Sequence, residues 1–189
     1  MIVPMDWIDT KTFYTLLHLF GVTLGAGGSF MSDVIFISTT KDKVLDSSEL
    51  NILKKGSAVT WVGLLLLVIS GALLFSLDPQ GYLASDKFIL KMIIVGIIAI
   101  NGAVFHFIHT PRLEKMVGTN LAQSATFKKY SRSMYYSGAL SIVSWVAALV
   151  LGGLRMIPVS VTIGLSIYIV LIAIAIIGAE IKRRQYLKK

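Results

Sequence analysis

Five stretches of this chain are each about 20 residues long and largely apolar, the length a helix needs to cross a bilayer. They fall at residues 13–37, 58–77, 88–109, 134–154 and 159–179. Hydrocarbon offers no water to satisfy peptide groups, so such segments close their own hydrogen bonds as helices. Proline and glycine punctuate the gaps, at Asp78-Pro79-Gln80-Gly81, Thr110-Pro111 and Ile157-Pro158. The expected fold is all-α: a polytopic integral membrane protein of five transmembrane helices, forming one domain over residues 1–189. Composition points the same way, with 55% of residues hydrophobic and 15% charged, where soluble domains carry about 25% charge.

The net charge of +8 is explained by where the charges lie. Lys11, Lys87, Lys91 and Arg155 fall at one end of the expected helices. Lys41, Lys43, Lys54, Lys55, Arg112, Lys115, Lys128, Lys129, Arg132, Lys182, Arg183, Arg184, Lys188 and Lys189 fall at the other. The positive-inside rule then places the N-terminus outside and the C-terminus in the cytoplasm; the membrane expected is a bacterial inner membrane. Charge divided among three segments is not one nucleic-acid-binding patch, so the partners expected are membrane lipids, with a second copy or redox subunits as further candidates. The N-terminal MIVPMDWIDTK lacks a basic stretch and holds two aspartates, unlike a signal peptide, so the first span is expected to be retained. There is no cysteine, which removes intrachain disulfides, thiolate metal sites and thioether-linked haem.

Two short matches suggest an internal repeat. Val59-Thr60-Trp61-Val62 parallels Val143-Ser144-Trp145-Val146, and the run from Gly21 to Phe30 loosely parallels the run from Gly96 to Phe105. Two hairpins in parallel orientation would form a four-helix bundle with a site between them. Span five, with no ionisable residue before Glu180, would be peripheral.

Within the first span, His18, Gly21, Gly25, Gly28 and Ser32 step by three and four and share one helix face. Such a face lets helix backbones approach closely. It equally offers a smooth slot for a flat macrocycle beside one imidazole. Ionisable groups inside a span are costly and mark sites. They form two zones here: His18 with Lys91 near the outer end, and Asp33 with His106 and His109 near the inner end. Asn101 lies deep in span three. Ser137, Ser141 and Ser144 follow helical spacing on span four and read as a packing face.

The outer zone suits haem b. His18 would ligate iron, Gly21, Gly25 and Gly28 would floor the ring, and Lys91 would pair with a propionate. Met92 is the nearest candidate for a second axial ligand. The inner zone suits a transition metal or a second haem, with His106, His109 and Asp33 as ligands. Leu17-His18-Leu19-Phe20-Gly21 followed by Gly27-Gly28, and Leu90-Lys91-Met92 on a span ending in a histidine, resemble the CopD-type membrane proteins and the HemJ-type bacterial membrane protoporphyrinogen oxidases. That resemblance implies a helical bundle binding haem b or copper, with His18 as the ligand and Lys91 as propionate or catalytic partner. The function expected is a haem-b-binding membrane redox protein that transfers electrons or oxidises a small membrane-soluble substrate. The alternatives are transport of copper or another metal ion, and a non-catalytic subunit of a larger membrane complex.

Overall fold

A computed structural model of the chain describes residues 9–188 except residue 43; the N-terminal stretch through residue 8, Lys43 and Lys189 lie outside the described residues. The described residues form helices α1 (Thr10–Asp42), α2 (Ser47–Leu77), α3 (Pro79–Leu83), α4 (Asp86–Val104), α5 (Thr110–Glu114), α6 (Ala125–Gly153) and α7 (Val161–Lys188). A single wide turn, Phe105–His109, joins α4 to α5 without breaking the rod. Five of these rods are long and apolar enough to cross a membrane. The protein is an all-α polytopic membrane protein, as its hydropathy requires.

α1 and α2 form an antiparallel hairpin of unusual closeness. A Cβ on Gly21 would lie 2.7 Å from the Leu67 nitrogen, and one on Gly28 would lie 2.8 Å from the Gly56 carbonyl oxygen. A Cβ on Gly63 would strike the Gly25 backbone itself. The spacing explains the fit: His18, Gly25 and Ser32 repeat every seven residues on α1, and Gly56, Gly63 and Ser70 do so on α2. Small residues at that period let two antiparallel helices pack nearly backbone to backbone.

α6 is the hub for the remaining helices. Three of its serines, spaced by four and three, each bond a different neighbour. Ser137 Oγ donates to Asn101 Oδ1 of α4 at 2.8 Å, Ser141 Oγ meets Ser29 Oγ of α1 at 2.7 Å, and Ser144 Oγ meets Tyr168 OH of α7 at 2.7 Å. The serine face is thus a packing face that also carries hydrogen bonds. α7 is peripheral. It buries Gly164, against which Leu90 packs, and Tyr168, and leaves Ile163, Ile167, Ile174 and Ile177 exposed on the lipid-facing side.

Beyond the apolar spans, the end that carries most of the basic residues has its own core. Leu45, Leu53, Leu113, Leu121 and Phe127 are almost fully buried there. α2 begins at Ser47, well before the apolar run at 58, because Asp46 and Glu49 form a reciprocal capping box. α6 begins at Ala125, capped by Ser124. A lone bridge, Val44 to Asn120, ties the two loops, and Gly118, at φ +75°, donates its N–H to Leu45 O at 2.8 Å. The loops expected between spans are therefore largely helical extensions around a small cap.

Candidate functional site

His18 sits on α1 facing α2. Its Nδ1 lies 3.1 Å from Ser70 Oγ, while the Ser70 hydroxyl donates to the Leu66 carbonyl at 2.6 Å. A hydroxyl has one proton, so the imidazole is the donor of this pair: Nδ1–H donates to Ser70 Oγ. The lone pair is then on Nε2, the tautomer a metal requires, and the ring is fixed by its other nitrogen. Lys91 of α4 is half-buried and within electrostatic range of the imidazole. The outer pair expected from sequence is within electrostatic range and not in hydrogen-bond contact. Met92 is not part of it, being 42% exposed.

The glycine face requires a correction. The slot expected along Gly21, Gly25 and Gly28 for a macrocycle is filled by α2 and by the indole of Trp145, which lies on Gly25. The spacing of three and four made a smooth face, and another helix backbone took it. Any haem held by His18 lies off that face.

The inner zone requires a second correction. Pro111 has no N–H to give to the carbonyl four residues back. The helix responds with the wide turn: Thr110 N–H and Thr110 Oγ1, at 3.1 Å, both donate to Phe105 O. Such a turn accommodates one extra residue and rotates the rest of the helix about its axis. His106 is therefore exposed, with Nδ1 3.3 Å from Ser57 Oγ on α2. His109 is fully buried, with Nε2 3.5 Å from Ser133 Oγ on α6. The two imidazoles point to different helices. Among the described residues no three His, Asp or Glu side chains gather to hold a metal, so His18, His106, His109 and Asp33 form no common ligand set.

Asp33 instead lines a cavity between the two hairpins, bounded by all four of α1, α2, α4 and α6. Trp61 and Trp145, the paired residues of the suspected repeat, both face it. Its volume is about 60 Å³, room for a few waters and far below the ~300–1,000 Å³ of organic-ligand pockets. The polar lining comprises Ser29, Ser32, Asp33, Ser57, Thr60, Asn101, Ser137 and Ser141. One wall is braced by a reciprocal pair: Asn101 Nδ2 donates to Ser137 O at 3.0 Å, and Ser137 Oγ donates back to Asn101 Oδ1. One carboxylate oxygen of Asp33 is buried without a hydrogen-bond partner. On its far side Asp33, with Gly138, also borders an apolar groove of about 300 Å³ between α1, α6 and α7, edged by Lys182.

Sequence reading missed Ser70, the residue that orients His18, although its place in the Gly56, Gly63, Ser70 period signals that it faces α1. It also missed that Ser32, Thr60 and Asn101 meet around Asp33, since each lies on a different part of the chain. No family model, curated protein or solved structure matches this chain.

Proposed function

We propose that the protein is an integral membrane redox protein that binds haem b through His18. The observation that carries this reading is the mounting of the imidazole: Ser70 holds Nδ1–H and leaves Nε2 to donate to iron. The donor fits haem; the glycine face does not take part. Lys91 supplies a positive charge near His18 for a propionate. When bound, haem would supply one-electron chemistry. The chain's own contribution is to fix the ring's orientation through Ser70 and to hold a cation, Lys91, within electrostatic range of it. The N-terminal end of α1 would then lie on the outer side of a bacterial cytoplasmic membrane, where electrons pass to or from a partner or a lipid-soluble molecule. The copper alternative has weaker support, because the bundle cavity is lined by oxygen donors where copper favours nitrogen and sulfur.

The test is a visible spectrum of detergent-purified protein, oxidised and reduced, for wild type, His18→Ala and Ser70→Ala. Wild type is expected to show a Soret band that sharpens on reduction, and His18→Ala to lose it. Ser70→Ala is expected to retain haem with about 10–100-fold weaker affinity, as removal of a ligand's orienting partner does. A colourless wild type from haem-replete cells, or a His18→Ala spectrum identical to wild type, overturns the reading. A colourless protein that co-purifies with other subunits would instead point to a structural role.

A further inference from the structure

We propose that the cavity between the hairpins binds a small hard monovalent cation, sodium being the case argued, with Asp33 as its charge partner. The site is separate from His18: fifteen residues of α1 divide them, about 22 Å of helix, so it stands whether or not haem is bound.

The chemistry of the lining selects the ligand. Ser32 Oγ donates its proton to the Gly28 carbonyl, and Thr60 Oγ1 donates its own to Gly56 O, both at 2.9 Å. Each hydroxyl therefore presents only lone pairs to the cavity. Ser137 commits its hydroxyl proton to Asn101 Oδ1, and Asn101 commits one of its two amide protons to Ser137 O. The hydroxyl lone pairs of Ser32 and Thr60 thus stand beside Asp33, which borders the same space and keeps a buried carboxylate oxygen that no protein group satisfies. An unpaired carboxylate within a span is too costly to stand alone, so the missing component is positive.

Its class follows from the donors and the size. Every lone pair that could ligate is on oxygen; the nitrogens in the wall, the Asn101 amide and the Trp61 and Trp145 indoles, are donors only and there is no sulfur, which favours a hard ion over copper or zinc. A single carboxylate balances one positive charge; calcium would bring a second and generally recruits more carboxylates. The cavity of about 60 Å³ admits a bare ion with a water or so, and not an organic ammonium. Hydronium shares this chemistry, and competition by pH separates it from sodium.

The experiment uses the full chain in detergent, titrated with sodium chloride against choline chloride at constant ionic strength, at neutral and at alkaline pH. Two readouts are taken: the melting temperature, and tryptophan emission, since two of the three tryptophans wall the cavity. Sodium is expected to raise Tm by several degrees and to change emission saturably, with choline inert. Asp33→Asn is expected to abolish both responses. Should that variant not fold, Thr60→Val and Ser32→Ala are each expected to shift the half-saturating sodium concentration upward about tenfold, while Ser166→Ala, on the exposed face of α7, leaves it unchanged. The proposal is overturned if wild type responds to pH but not to sodium, if it responds to neither, or if Asp33→Asn, or both Thr60→Val and Ser32→Ala, respond to sodium as wild type does.

Discussion

Two neighbouring glycines on α1 have opposite surroundings. A Cβ on Gly27 meets nothing within 4 Å, while one on Gly28 would lie within 3 Å of Thr60 and of the Gly56 carbonyl. The same contrast holds between Gly27 and Gly63, whose Cβ position is occupied by the Gly25 backbone. Gly63→Ala is therefore expected to pry α1 from α2 and cost about 1–3 kcal/mol, the range for overpacking. Gly27→Ala is expected to be neutral or slightly stabilising, since alanine is the better helix former. Thermal unfolding in detergent compares them, and equal melting temperatures would refute the backbone-to-backbone contact. The small-residue face is legible in the sequence; its occupant is not. Steps of three and four describe a surface for a flat ring and a surface for a helix equally well. Only the matching period on α2, at Gly56, Gly63 and Ser70, distinguishes them, and it must be read together with α1.

At the scale of elements, the five spans follow from hydropathy, and their apolar portions lie where the sequence puts them. The joint between α4 and α5 is not legible in that way. Thr110-Pro111 reads as a helix end, because proline usually stops a helix at the residue before it. Here the rod absorbs proline by widening one turn, and the consequence is a changed phase for His106 and His109. Pro111→Ala restores an N–H at that position and is expected to let the turn relax to α-helical pitch, swinging residue 109 away from α6. The absence of native cysteine makes a clean assay. With His109→Cys and Ser133→Cys, a short bifunctional thiol reagent is expected to join residue 109 to α6, and adding Pro111→Ala is expected to reduce the yield severalfold. Unchanged yield would mean that packing, not Pro111, sets the wide turn. The extension of α2 back to Ser47 is available to a closer reading, since Asp46 and Glu49 spell a capping box, but its polar composition resembles a loop until Leu50 and Leu53 find Phe127 and Leu121.

For the whole molecule, the distribution of Lys and Arg predicts one orientation, with the end that carries Lys87 and Arg155 outside. Ala84→Cys and Gln123→Cys, both at exposed positions, test it. A membrane-impermeant maleimide applied to intact cells is expected to label Ala84→Cys and to reach Gln123→Cys only after lysis; the reverse pattern would invert the topology. The two-hairpin bundle is legible from the paired tryptophan motifs, and the cavity lies where a site between hairpins is expected, though its hydroxyl lining needed three dimensions to assemble. Gly25 links these levels. It is covered on one side by Gly63, in the hairpin it belongs to, and on another by Trp145, far along the chain. During synthesis the first hairpin leaves the ribosome while the indole that closes its notch has yet to be made. Until α6 arrives, an acyl chain can fill that notch, so the docking of α6 exchanges lipid for an indole before α7 has yet been added, and a larger residue at position 25 would block it after the hairpin had already formed.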